Sequence, residues 1–329
     1  MKIFLLSVVF LLTQHFSLPA LADQAPLPSG ATNVLTISLS DLTAVGGKLI
    51  AVGERGLIMQ SADQGKTWSG VFAPTTRMLT AIAFVDGRGG VAVGHGGTVL
   101  RTEDGGKTWI SVAVADAGKD AILGVTAMKD GRLVAYGAFG LYIESVDKGK
   151  TWVRKKVVSD DFERHISKVI EIGEILLLVG ESGTLATSAD RGVTWTRIES
   201  PYVGSFFGAL KLSDGAVLTY GMRGNVFRSA DAGLTWTKVP FKSTSTLNGG
   251  AVGPDGKIAL VGNNGLIAIS TDDGQTFSIQ TAPQGTPIAQ AIYGTDGALV
   301  YVGYLSGGRI QNAKAGGAQK SPVLQTKRL

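Results

Sequence analysis

The chain has 329 residues, 46 of them glycine, with no cysteine and a formal net charge of +5 at pH 7. Without cysteine there are no disulfides, so core packing has to hold the fold, and a chain of this length can bury enough surface to do so. The basic excess is small and not gathered into runs, which argues against a nucleic-acid partner. Glycine stands at about twice its usual ~7% share, an excess that repeated turns would account for.

The first element is a leader. Met1 and Lys2 precede a largely apolar run, Ile3 to Leu12, then a polar break at Thr13, Gln14 and His15, then Ala20-Leu21-Ala22 ahead of Asp23. A positive start, a short apolar stretch and small residues two apart are the parts of a secretory signal peptide. The run is shorter than the ~20 residues that cross a bilayer. Residues 1–22 are expected to be removed, and the mature chain to reach the periplasm.

Beyond the leader the sequence repeats. An apolar run closed by glycine recurs seven times: Leu49–Gly53, Val91–Gly94, Leu133–Gly137, Leu176–Gly180, Val217–Gly221, Ile258–Gly262 and Leu299–Gly303. Each glycine is followed by two variable residues and usually a second glycine. Short apolar runs bounded by glycine read as strands buried on both faces. A weaker apolar segment lies upstream of each, such as Leu79 to Phe84 or Ile122 to Met128.

Downstream of each of the first six comes a second motif, first seen as Ser61-Ala-Asp63-Gln-Gly65-Lys-Thr67-Trp68. Its aspartates are Asp63, Asp104, Asp147, Asp190, Asp231 and Asp272, in steps of 41 or 43 residues. Its last position holds Trp68, Trp109, Trp152, Trp195, Trp236 and Phe277, so all five tryptophans of the chain fall there. Each unit therefore reads as strand A, strand B, a Gly-x-x-Gly tip, strand C, the Asp motif and strand D. Four short strands per ~40 residues are the mark of a propeller blade. The expected fold is all-β: a seven-bladed β-propeller of four-stranded antiparallel blades, over residues 23–312. The aspartate is suited to accept hydrogen bonds from turn amides, the glycine to adopt a positive φ, and the tryptophan to wedge between blades. These are structural roles, and the motif is no active site.

The motif Ser-x-Asp-x-Gly-x-Thr-Trp resembles the Asp-box, or bacterial neuraminidase repeat, of sialidases, sortilin-like receptors and photosystem II stability and assembly factors. The string from Val52-Gly-Glu-Arg-Gly56 through Trp68 is most similar to the assembly factors, and the resemblance extends over about residues 35–310. It implies a seven-bladed propeller without enzymatic activity that binds newly made membrane proteins, or an exporter-associated relative of that group. The alternative is a sialidase-like glycoside hydrolase. It would need an arginine triad, a tyrosine–glutamate pair and an Arg-x-Pro-type motif, and Pro26, Pro28 and Pro74 carry no such arginine. Beyond the leader the histidines are His95 and His165, with no ligand spacing, so neither a metal nor a cofactor is expected.

The tips vary on a fixed frame, as binding loops do. They carry Glu54 and Arg55, His95, Ala138 and Phe139, Glu181 and Ser182, Met222 and Arg223, Asn263 and Asn264, then Tyr304 and Leu305. The Asp-boxes belong to the opposite face. Glu54, Arg55, His95, Phe139, Glu181, Arg223, Asn264 and Tyr304 are the candidate contacts to a membrane protein or its extracytoplasmic segment, made by a monomeric propeller. Two D–A loops join the same face: the charged 159–165 and the aromatic 201–207.

A seventh Asp-box would fall at Ala313, where the aspartate, first glycine and tryptophan are missing. Blade seven thus has no evident strand D. Residues within about Leu27 to Ile37 are expected to supply it, since closure removes an exposed sheet edge. Residues 321–326, around Pro322-Val-Leu-Gln, are the competing source, although 313–329 otherwise read as a flexible tail.

Overall fold

The structure, a computed structural model, describes residues 36–311. They form seven antiparallel sheets in succession, six of four strands and one of three, so the chain is a seven-bladed β-propeller. Blade one runs A (Leu39–Val45), B (Lys48–Gly53), C (Ile58–Ser61) and D (Ser69–Val71). The order repeats through blade six, and blade seven comprises A (Ile288–Tyr293), B (Leu299–Gly303) and C (Ser306–Ile310). The strand A of each blade packs on that of the next, and that of blade seven on that of blade one, which closes the ring around a central channel. The expected leader, the tail and both candidate sources of the missing strand lie outside the described residues, apart from Thr36 and Ile37. Ile37 packs with Val300 and Val302 of blade seven at the seam with blade one.

All seven B strands coincide with the apolar runs, because those runs are buried on both faces. The core is divided into seven clusters, each between two neighbouring blades. The Asp-box aromatic enters the cluster shared with the preceding blade. Trp152 of blade three packs with Val91 and Val93 of blade two, and Trp68 of blade one with Val300 and Val302 of blade seven. Among the described residues, the cluster between blades six and seven holds no such aromatic.

The box turn is held by its own side chains. Asp63 accepts from the Thr67 amide at 2.9 Å, the Thr67 hydroxyl at 2.6 Å and the Ser61 hydroxyl at 2.8 Å. Ser61 Oγ in turn accepts from the Gly65 amide at 2.8 Å. The same pattern recurs in the other five boxes, for instance around Asp147 and Asp231. The box glycine has a positive φ, as expected, and a Cβ on Gly65 would lie 2.8 Å from Val300 of the neighbouring blade. The residue before it is also left-handed: Gln64, Lys148, Arg191, Ala232 and Asp273 have φ of 54–60°. The indole N–H donates to the box glycine carbonyl in Trp109, Trp152 and Trp236, at 3.0–3.2 Å, whereas that of Trp195 has no partner.

Candidate functional site

Each tip is fixed from both sides by main-chain contacts. In all seven, the first glycine is extended and its absent Cβ would lie 2.1–2.3 Å from the carbonyl oxygen just ahead of strand A in the same blade. The next residue donates its N–H to that carbonyl at 2.9–3.1 Å, as in Glu54 to Ser38, Glu181 to His165 and Tyr304 to Pro287. Glycine is therefore required there by close approach. The second glycine passes under the following D–A loop: a Cβ on Gly140 or Gly183 would lie 2.2 Å from the Phe162 or Tyr202 carbonyl. At the second variable position of each tip, Arg55, Gly96, Phe139, Ser182, Arg223, Asn264 and Leu305 all have φ of 46–65°, with Ser306 in place of the second glycine in the seventh. For a side chain larger than asparagine this conformation is uncommon and costs free energy.

The candidate contacts divide on this frame. Glu54 accepts from the Ser38 amide at 3.2 Å and Glu181 from the His165 amide at 3.0 Å, so both carboxylates brace the start of a strand A. Asn264 donates to Ser245 Oγ at 3.1 Å. The side chains of Arg55, His95 and Arg223 are exposed and make no hydrogen bond or ion pair among the described residues. Phe139 and Tyr304 are each 59% exposed, a large apolar area for a surface position.

The fold brings three tip-face residues together. The Phe139 ring meets the His165 ring edge-on at 5.3 Å, and His165 Nδ1 lies 4.0 Å from Glu181 Oε2. His165 and Glu181 border a cavity of about 360 Å³, lined also by Leu123, Ser167, Ser205 and Phe207, at the channel mouth between blades three, four and five. Arg55 and Arg223 are not brought together, since they stand on blades one and five. Of the two D–A loops, the aromatic 201–207 turns its rings both ways. Tyr202 and Phe206 pack in the core with Phe227, and Phe207 faces the mouth.

Below the mouth, the channel contains polar groups not identified among the sequence candidates. Asp41 accepts from the Leu42 amide at 2.8 Å, the Ile82 amide of blade two at 2.9 Å and Gln290 of blade seven at 3.5 Å. Burial pushes its carboxyl above the usual value, with Lys168 opposing. Lys168, Tyr136 and Tyr220 share the same chamber. The Lys168 ammonium is raised, first by the Tyr136 phenol beside it and then, against the cost of burial, by Asp41. Charged and amide side chains in otherwise apolar A strands were the available signal, at Asp41, Lys168 and Gln290.

The sequence matches the family model described as photosystem II assembly factor YCF48 over residues 60–309. The chain belongs to the YCF48 family. Among solved structures, YCF48 bound to a D1 peptide aligns over 88% of this chain and 96% of that one, at 18% identity and a TM-score of 0.68. YCF48 from Cyanidioschyzon merolae aligns over 86% and 95%, at 15% identity and a TM-score of 0.65. A streptogramin B lyase reaches a TM-score of 0.72 at 11% identity over 84% and 94%, so an enzyme shares the YCF48 architecture and the fold alone does not decide catalysis. Among curated proteins no match is found.

Proposed function

We propose that this YCF48-family protein is a non-enzymatic scaffold that docks a segment of a membrane protein on its tip face, outside the cytoplasm. The observation that carries the reading is the composition of that face. Exposed aromatics and unpaired arginines stand on tips whose main chain is locked, and the same face opens into a cavity of about 360 Å³ between blades three, four and five. Arginines and aromatics are the residues enriched at interface hot spots. The relative bound to a D1 peptide supports a peptide-like partner, and the leader-like residues 1–22 support an extracytoplasmic place of action. An assembly factor and an exporter-associated accessory protein would both use such a face. With Arg55 and Arg223 on separate sides of the channel, a broad protein contact fits better than a clamp on one small anionic sugar.

The test combines Arg55→Glu with Arg223→Glu, and separately Phe139→Ala, in affinity capture of membrane partners by the full chain. Loss of capture with an unchanged melting temperature is the expected result. A folded charge-reversed protein that captures the same partners as the wild type would overturn the reading. Sugar release from generic glycoside substrates by the wild type would favour a hydrolase instead.

A further inference from the structure

One ring position lies at the same height in every blade, opposite the residue that precedes the first tip glycine. It is occupied by Asp41, Ala81, Gly124, Lys168, Gly208, Gly249 and Gln290. Two of the glycines make room for phenols from strand B. A Cβ on Gly124 would lie 2.2 Å from the Tyr136 ring, and one on Gly208 would lie 2.3 Å from the Tyr220 hydroxyl. Lys168, on blade four, is therefore flanked by tyrosines from blades three and five. We propose that this chamber is a carboxylate site, with Lys168 pairing with the anion and Tyr220 donating to it.

Proton counting supports the assignment. Thr126 Oγ1 donates its one proton to the Val169 carbonyl at 2.8 Å. Tyr136, 3.0 Å from that oxygen, must then be the donor to it, which leaves the Tyr136 oxygen as an acceptor for Lys168. An ammonium has three N–H groups, so Lys168 keeps donors to spare, and it forms no ion pair among the described residues. Tyr220 lines the chamber, and its hydroxyl has no protein hydrogen-bond partner among the described residues. Asp41 is already engaged by two amides and Gln290. A cation with donors to spare and a phenol without a protein partner thus face one space.

The ligand class follows from charge and size. The chamber is about 150 Å³ and meets the mouth cavity at Leu123, Ser167 and Phe207. Asp41 on its far wall disfavours a multiply charged anion such as phosphate. A singly charged carboxylate satisfies Lys168 and Tyr220 together. A free small acid and the C-terminus of a peptide entering from the mouth share this chemistry.

The experiment is calorimetric titration of the full chain at matched ionic strength with propionate, with acetyl-Gly-Ala-Gly-Ala as the free acid, and with its C-terminal amide. The wild type is expected to bind a free carboxylate and not the amide. Lys168→Met should weaken binding by at least about tenfold, and Tyr220→Phe by about threefold. Tighter binding of the peptide acid than of propionate assigns the site to chain ends, and binding of propionate alone assigns it to small acids. The proposal does not rest on tip-face docking, so the Arg55→Glu/Arg223→Glu protein should bind these probes like the wild type even if docking fails. Equal affinity for acid and amide, no binding by the wild type at about 10 mM probe, or unchanged binding by both Lys168→Met and Tyr220→Phe would each overturn it. Should Lys168→Met fail to fold, Tyr220→Phe decides.

Discussion

Replacing Gly180 by alanine would put a methyl group 2.2 Å from the His165 carbonyl oxygen, well inside contact distance. The φ of Gly180 is −173°, extended backbone open to any residue, so the penalty comes from the collision alone. Relief requires the tip to move off strand A. That movement breaks the Glu181 N–H bond to the His165 carbonyl, 2.9 Å, and the His165 N–H bond to the Glu181 carboxylate, 3.0 Å. At about 1 kcal/mol for each bond and about 1–3 kcal/mol for overpacking, the loss should be about 3–5 kcal/mol. The assay is urea denaturation followed by tryptophan fluorescence. Two controls separate the causes. Gly87, with nothing near its Cβ and no positive φ, should tolerate alanine within about 0.5 kcal/mol. Gly47, equally open but at φ 79°, should lose about 1 kcal/mol from the backbone alone. A Gly180→Ala protein that unfolds at the same midpoint as Gly87→Ala would refute the close-approach argument.

Trp152→Ala empties the wedge between blades two and three and should cost about 3–5 kcal/mol by the same denaturation assay. Asp147→Ala leaves box amides and the Thr151 hydroxyl without their acceptor and should cost about 1–3 kcal/mol, with partner capture retained below the melting point. Loss of an activity by Asp147→Ala at unchanged melting temperature would show that the boxes are more than structural. Acid should also weaken the fold through these turns. The Thr67 hydroxyl and amide hold Asp63 at about 2, against 3.8 ordinarily, and Asp190 and Asp231 are lowered likewise. A carboxylate depressed by folding stabilises above its unfolded value and loses that contribution as pH falls through the folded one. Thermal melts should therefore decline between pH 3.8 and 2, and a flat profile there would contradict the hydrogen-bond assignment.

Strand order, blade number and the box-turn hydrogen bonds were legible because each is written several times over. Seven apolar runs and six Asp motifs leave little freedom in the fold. What repeats cannot reveal is where singular residues meet. Glu54 and Glu181 read as free tip charges, but a side chain's choice to fold back onto the Ser38 or His165 amide depends on a neighbour 16 positions away. His165 and Phe207 join the mouth cavity only because adjacent blades converge there. The chamber was missed for a related reason. Lys168 and Tyr136 come from different repeats, and Tyr136 reaches the channel only because its partner across the strands, Gly124, has no side chain. The first tip glycines read as punctuation, whereas the carbonyl packed against each explains why no other residue fits.

Among the described residues, the interface between blades six and seven has no box aromatic; Tyr301 and Tyr293 belong to its cluster, and it is also fastened on the inside. Asn248 reaches the Ile288 carbonyl at 2.8 Å, and Gln290 accepts from the Gly250 amide at 3.1 Å, both beside the channel. Hub contacts of this kind tie the closure of the ring to the channel wall, the same surface that a ligand in the channel would meet, so ligand binding and ring closure draw on one set of side chains in this molecule.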